Sequence, residues 1–366
     1  MKSERYNKIL LTGASGFLGH IILSRLLADY QCDIIMLLRP GAELQQLKNN
    51  VEDYLKNSDI SIDNNQWDRV TPIFVSQPGE SLPGGVEQKI GVIDAIFHAA
   101  GNVDYFDTEQ LHIGNVQYTS NLIQLAKRCH AQQFIYVSTA FSSGYKDMPI
   151  LEQACCPPFK DPTAYVTSKR HAETLVEQSG IPYFIMRPSI VIGHSKTGYY
   201  RGKRYGLYQQ WMLMEKLFHN HYIANWHYVA NGKKLQLVHC DSFENMLFAA
   251  IETLPVNTHV NIVSESSTLP SYRDAVDLWF KRVLKPKSIS YYDDYDSLPL
   301  SKLSRKERMF FNLIKTNTEI ATASWFFETT SSQKIQAKGI EINDVTLTSL
   351  LRCQNSFVKQ STLLNL

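Results

Sequence analysis

The chain has 366 residues, 44% of them hydrophobic and 20% charged, with 37 Lys plus Arg against 35 Asp plus Glu for a formal net charge of +2. That length suits one large domain or two lobes, and the composition is that of a chain with a real core. The near-balance of charge gives no global electrostatic reason to bind nucleic acid.

Taken in order, short apolar runs alternate with amphipathic stretches. Strands are expected at 8–12, 33–38, 70–75, 92–98, 133–138 and 183–187, where runs such as KILLT, DIIMLL and VIDAIFH are apolar enough to be buried on both faces. Helices are expected at 17–30, 42–56, 108–128 and 164–178. A βαβα order of this kind makes an α/β fold, a doubly wound parallel Rossmann sheet. After Gly193 the texture changes to an aromatic, basic segment without strand alternation, and the tail from Ser271 reads as mainly helical. The expected division is a cofactor-binding Rossmann domain over 1–195 and 235–265, with a smaller, mainly helical substrate-binding lobe over 196–234 and 266–366.

The six cysteines, at 32, 129, 155, 156, 240 and 353, form no C-x-x-C pair and no zinc-spaced cluster with histidine. No metal site is expected, and a reducing compartment is the simplest reading. MKSERYNKILLTG passes from a few polar residues into an apolar strand and a Gly-rich turn, unlike a signal peptide. No apolar run approaches the ~20 residues of a membrane span. The expectation is a cytoplasmic protein without a transmembrane segment.

TGASGFLG joins the first strand to the first helix with G-x-x-G-x-x-G spacing. Glycine lets backbone N–H groups approach a pyrophosphate, and a helix N-terminus favours that anion. A tight strand–helix turn needs glycine in any case, so the triplet alone is weak; the strand before it and the helix after it strengthen it. The candidate contacts are Gly13, Ser15, Gly16, Phe17, Leu18 and Gly19. At the end of the second strand, where a carboxylate would hold the ribose 2′-hydroxyl of NAD, stands Arg39, suited to the 2′-phosphate of NADP(H). The ordinary alternative is a solvated strand-end charge.

Tyr165 and Lys169 form Y-x-x-x-K, and residues i and i+4 share a helix face. A lysine charge beside a tyrosine favours the phenolate and lowers its pKa from ~10. Tyr–Lys pairs at this spacing are common on helix surfaces. This pair, however, follows a strand ending in VSTA, where Ser138 and Thr139 offer hydroxyls at the C-terminal edge of the sheet, the usual ligand crevice.

TGASGFLG, FHAAG, NVQYT, FIYVSTAFSSG, AYVTSKRHAE and RPSIVIG, in this order, resemble the extended short-chain dehydrogenase/reductase superfamily (NAD-dependent epimerase/dehydratase-like). The likeness covers about residues 6–195 strongly. VSTAF, FHAAGNVDYF and the Arg39 strand end look most like the branch of fatty acyl-CoA reductases and thioester reductase domains. The resemblance implies a Thr139–Tyr165–Lys169 triad. Thr139 would bond the substrate carbonyl, Tyr165 would donate the proton, and Lys169 would tune Tyr165 and bind the nicotinamide ribose. Ser138, one residue earlier, would point the other way. It also implies cofactor contacts at Ala99, Ala100 and Gly101, a buttress at Asn115, and a loop at Pro188 and Ser189 that meets the carboxamide. Taken singly, Asn115 reads equally as helix polarity and Pro188 as a strand terminator. One departure stands at IFVSQPGE, where the family carries Gly-Asp and this chain has Ser76 and Gln77; the glutamine oxygen could accept from the adenine amino group.

The implied activity is reduction of an acyl thioester, acyl-CoA or acyl carrier protein-bound, to aldehyde or alcohol. The alternatives are a ketone or hydroxyl dehydrogenase, a sugar-nucleotide epimerase or dehydratase, and a non-catalytic NADP-binding sensor.

Overall fold

The computed structural model describes residues 2–76, 85–105, 107–219, 222–361 and 363. Gln77 lies outside the described residues. The chain runs β1 (Lys8–Thr12), α1 (Phe17–Asp29), β2 (Asp33–Leu38), α2 (Leu44–Asn57), β3 (Val70–Phe74), α3 (Val86–Ile90), β4 (Ala95–His98), α4 (Thr108–Leu111), α5 (Tyr118–Arg128), β5 (Gln133–Val137), α6 (Ala164–Glu177) and β6 (Tyr183–Pro188). It continues as β7 (Ile190–Ile192), α7 (Gly206–Phe218), β8 (Asn225–Val229), β9 (Leu237–His239), α8 (Cys240–Thr253), β10 (Thr258–Ile262), α9 (Tyr272–Trp279), β11 (Ser288–Tyr292), α10 (Arg305–Thr322), α11 (Thr330–Gln336) and α12 (Leu347–Lys359).

Two compact units share this chain. The first comprises residues 1–189, 240–262 and 327–342. Its seven-stranded sheet has the order β10-β6-β5-β4-β1-β2-β3, and every pairing is parallel. This is the doubly wound Rossmann order, and β1 and β4 lie side by side where the direction of winding reverses. Leu10, Ile96, Phe134, Tyr136 and Ile185 project from the strands into one core with Leu122, Leu125, Ala172 and Val176 from the helices. Each Leu, Ile, Val or Phe among them contributes about 1.5–3 kcal/mol by leaving water.

The second unit comprises residues 190–239, 263–326 and 343–366. It contains two parallel strand pairs, β7 with β9 and β8 with β11, and the helices α7, α9, α10 and α12. Aromatic side chains fill it: Trp211 and Trp279 stack at 5.4 Å, and Phe218, Trp226, Tyr228, Phe280 and Phe310 interlock around them.

Three details differ from the sequence reading. The first is in the aromatic segment and the tail, where no strands are expected but β8 and β11 form. Each is only five residues long, NWHYV and SISYY, too short for its alternation to stand out from the surrounding aromatic and polar residues. The second concerns residues 327–342, expected in the lobe but packed in the first unit. Here the Glu152 carboxylate accepts from the backbone N–H groups of Asn261 (2.9 Å) and Ser331 (2.8 Å), and Asn261 Nδ2 donates to the carbonyl of Glu328 (3.1 Å). The third is the 108–128 helix, which is interrupted by a π-turn at His112–Gln117. Gly114 sits so close to Asn102 that an added Cβ would stand 3.1 Å from the Asn102 Cβ.

Candidate active site

The turn after β1 is built for close backbone approach. Gly13 has φ +78°, and a Cβ there would meet the backbone N of Ala100 at 2.5 Å. A Cβ on Gly19 would lie 1.9 Å from the Gly13 carbonyl oxygen. The Gly16 N–H donates to that same oxygen at 2.8 Å, closing the turn. Gly16 caps α1, Ser15 and Gly16 are exposed, and α1 has no acidic residue in its first turn. The backbone N–H groups of Phe17, Leu18 and Gly19 therefore open a helix N-terminus that suits an anion. The turn also brings Ala99 and Ala100, at the end of β4, against Gly13.

Arg39 is exposed directly after β2. Its charge acts on the Tyr118 phenol, whose pKa burial raises and Arg39 partly pulls back. The guanidinium thus stands near the start of α5. At the other end of the site Pro188 and Ser189 are buried where β6 ends, and Ser189 Oγ has no hydrogen-bond partner among the described residues. An orphaned hydroxyl there and a turn that excludes Cβ atoms both fit a dinucleotide lying along the strand ends.

Thr139 is the second residue past β5 and caps a short 3₁₀ turn, its hydroxyl accepting from the N–H of Phe141 at 3.4 Å. Ser138 turns the other way, as expected from strand alternation, and donates to the Glu173 carboxylate. Helix α6 starts at Thr163, whose hydroxyl caps Val166 N. Tyr165 and Lys169 are on its first turns, and Lys169 Nζ donates to the carbonyl of Val137 at 2.7 Å and lies 4.2 Å from the centre of the Tyr136 ring. The helix is thereby fastened to the end of the strand that leads into Thr139.

Burial sets the proton affinities. It pushes the Tyr165 phenol well above the usual tyrosine value, and Tyr105 adds to this. It pulls the Lys169 ammonium down to about 7 against the opposing charge of Glu173. The expected lowering of Tyr165 by Lys169 is not found: desolvation dominates, so the phenol keeps its proton at neutral pH.

Asn115 is carried on the π-turn and fully hydrogen-bonded. Its Oδ1 accepts from Asn102 N at 2.7 Å; its Nδ2 donates to the Asn102 carbonyl at 2.9 Å and to Ser168 Oγ at 2.8 Å. Gly101 leaves room for this, since a Cβ there would lie 2.9 Å from Asn115 Oδ1 and 3.9 Å from Lys169 Nζ. Two supporting residues, Glu173 and Arg187, escape the sequence reading. Glu173, four residues after Lys169, accepts from Ser138 and from Arg187 Nε (3.1 Å) and Nη2 (2.7 Å) in a fully buried pair. Burial raises its carboxyl, but Arg187 and Ser138 hold it below the ordinary range. The legible signals are an arginine inside the apolar run YFIMRP and a carboxylate on the buried stripe of α6. Among the described residues no cluster of His, Cys, Asp and Glu could hold a metal ion, and no helix is long and apolar enough to cross a membrane.

The sequence profile of the family described as male sterility protein, an NAD-binding domain, matches residues 11–247, a span that takes in the glycine turn, Thr139, Tyr165 and Lys169. The chain belongs to the male sterility protein family. Proteins similar to it include mouse fatty acyl-CoA reductase 1, 31% identical over 228 residues, which span 50% of this chain and 43% of the mouse protein. A linear gramicidin synthase protein from Brevibacillus parabrevis is 29% identical over 210 residues, 53% of this chain and 4% of that protein. The chain thus spans less than half the length of these relatives. In fold it is similar to the terminal R domain of the myxalamid PKS-NRPS pathway, with a TM-score of 0.74 at 21% identity over 99% of this chain and 92% of that one. Family model and relatives agree with the resemblance carried by the motifs, to the extended short-chain dehydrogenase/reductases and their fatty acyl-CoA reductase branch.

Proposed function

We propose that this protein is an NADPH-dependent reductase of acyl thioesters, held on coenzyme A or on a carrier protein, with Thr139, Tyr165 and Lys169 as catalytic residues. The observation that supports the reading is the fastening of α6 to the end of β5: Lys169 Nζ donates to the Val137 carbonyl, two residues before Thr139, and Tyr165 lies one turn earlier on the same helix. In this reading the first unit binds the cofactor and the second recognises the substrate.

The glycine turn, Arg39, Ala99–Gly101 and Ser189 would hold NADPH, which when bound would supply the hydride. The chain's own residues do the rest. Thr139 donates to the thioester carbonyl oxygen, and Tyr165 gives up its proton as charge develops there, so the oxyanion is neutralised in a water-poor site. The Lys169 ammonium stabilises the phenolate that this leaves. The resulting hemithioacetal loses its thiol as the C–S bond breaks, and aldehyde is released. Arg39 favours NADPH over NADH through a charge-assisted contact to the 2′-phosphate.

Incubation with NADPH and a panel of acyl-CoAs and carrier-bound acyl chains, following loss of NADPH absorbance, tests the reading. Thiol and aldehyde should appear in equal amounts. Turnover of ketones or sugar nucleotides alone would replace it with a dehydrogenase or epimerase.

A further inference from the structure

His98 is the last residue of β4, fully buried, and belongs to none of the roles above. It stands at the centre of a chain of hydrogen bonds that the neutral ring can join in one way. Thr119 has one hydroxyl proton and donates it to the Asn115 carbonyl at 2.5 Å. Thr119 Oγ1 can then only accept from His98 Nε2, 3.0 Å away, so Nε2 carries the proton. Nδ1 is left as an acceptor for the Thr12 hydroxyl at 2.7 Å, and the Thr12 oxygen in turn accepts from the N–H of Ala100 at 3.4 Å. Beyond Asn115 the chain runs from its Nδ2 to Ser168 Oγ and from that hydroxyl to the carbonyl of Tyr165 at 2.7 Å.

We infer that His98 is a positioning residue: a single-tautomer imidazole that locks the cofactor turn at Thr12 and Ala100 to the π-turn of Asn115 and, through Ser168, to the first turn of the catalytic helix. It touches neither substrate nor cofactor. Its two ring nitrogens face hydroxyls from opposite sides, Thr12 on β1 and Thr119 on α5, so the ring spans the point where the winding of the sheet reverses. The groups around the ring are the aromatic side chains of Tyr118, Phe134 and Tyr136, with centroids 5.3–6.1 Å away. No carboxylate is hydrogen-bonded to it among the described residues. Burial, and then the charge of Lys169, hold its pKa well below the ordinary histidine value. A histidine that gained a proton would lose the acceptor for Thr12, and with it the orientation of the turn that faces the dinucleotide.

The inference rests on the reductase reading for its kinetic consequence, and not for the tautomer. In ¹⁵N-histidine NMR of the full chain, His98 should show the Nε2–H tautomer and no titration between pH 5 and 9. An Nδ1–H tautomer or a titration in that range would overturn the inference whatever the enzyme's substrate. For the kinetics, His98→Phe keeps the ring but removes the acceptor for the Thr12 hydroxyl and the donor to Thr119 Oγ1, whereas His98→Gln can accept from one and donate to the other. Per folded molecule, kcat should fall by roughly 10-fold or more in His98→Phe and recover most of that loss in His98→Gln, with KM for the acyl substrate within about twofold of wild type. If His98→Phe does not fold, Thr119→Val, which breaks the chain one step further on, should show the same loss. Equal kcat in wild type and His98→Phe, or no recovery in His98→Gln, would reduce His98 to a packing residue. Should the wild type reduce no thioester but turn over another carbonyl substrate, the reductase reading fails, and the same comparison on that substrate still decides the role of His98.

Discussion

Burial acts in opposite senses on Tyr165 and Lys169, retaining the proton of the phenol and loosening that of the ammonium. The first makes Tyr165 an acid at neutral pH, and Tyr165→Phe removes the hydroxyl at constant volume. Turnover should fall by ~10²-fold or more while the NADPH dissociation constant stays within about threefold; wild-type turnover would dismiss the triad. The second sets a pH limb. Lys169 is charged below about 7 and neutral above it, so kcat/KM should decline as pH rises through that value. Lys169→Arg, which stays charged, should move the decline upward by a unit or more. At the far end of the site, Arg39→Ala should cost ~1.5–3 kcal/mol of NADPH binding and leave NADH binding unchanged; an unaltered ratio of the two dissociation constants would make Arg39 a surface charge. Arg39 was legible from its place at the end of a strand, and Tyr165 and Lys169 from their i, i+4 spacing on one helix after the VSTA strand end. Glu173, Arg187 and His98 were not, because a buried polar residue inside an apolar run looks like an interruption until its partners, up to 86 positions away in sequence, are brought beside it.

Helices α1, α2 and α8 meet around one buried carboxyl, that of Glu244 on α8. Tyr54 on α2 donates to its Oε2 at 2.7 Å, while Oε1 has no partner among the described residues. Burial raises the Glu244 pKa to about 7, against the pull of Arg25. A carboxyl that binds its proton more tightly folded than unfolded stabilises the fold below its unfolded pKa, and that contribution is lost as pH rises through the folded value. Wild type should therefore lose stability between about pH 4.5 and 7, by at most about 3 kcal/mol from this group. Thermal melts of Glu244→Gln at pH 5 and pH 8 check it: the difference in Tm should shrink, and an unchanged difference would place the pH dependence elsewhere. At this scale the inner strands β1, β2 and β4 were readable because both their faces are buried and their sequences run almost wholly apolar. The π-turn was not, since a widened turn keeps helical periodicity on either side, and its close approach of Gly114 to Asn102 joins residues that sequence spacing does not pair.

Across the whole molecule the basic loop after β7 is the feature that the reductase reading connects to a partner. It is better packed than a solvated loop: Tyr200 stacks on Tyr208 with centroids 3.8 Å apart, Tyr199 is buried, and Arg204 lies over the Phe357 ring near Glu215. Arg201 and Lys203 are the more outward pair, with Arg201 exposed at the start of the loop. Reversing those two charges should lower kcat/KM for CoA-bound and carrier-bound substrates by about 3–10-fold at low salt, and less at high salt, as screening shortens the reach of the field. A small uncharged thioester should be spared; equal losses on all three would mean that the loop shapes the substrate site itself.

The interleaving of the two units has a consequence of its own. Each is laced from three separate lengths of chain, with crossings after residues 189, 239, 262, 326 and 342. During synthesis the first unit cannot be finished when its sixth strand emerges, because it waits for β10 and then for α11, which begins at Thr330. No single cut yields either unit whole, so the chain cannot be parcelled into independently expressible halves. Loss of the stretch after residue 326 would be felt at Glu152 and Asn261, far upstream in the same message.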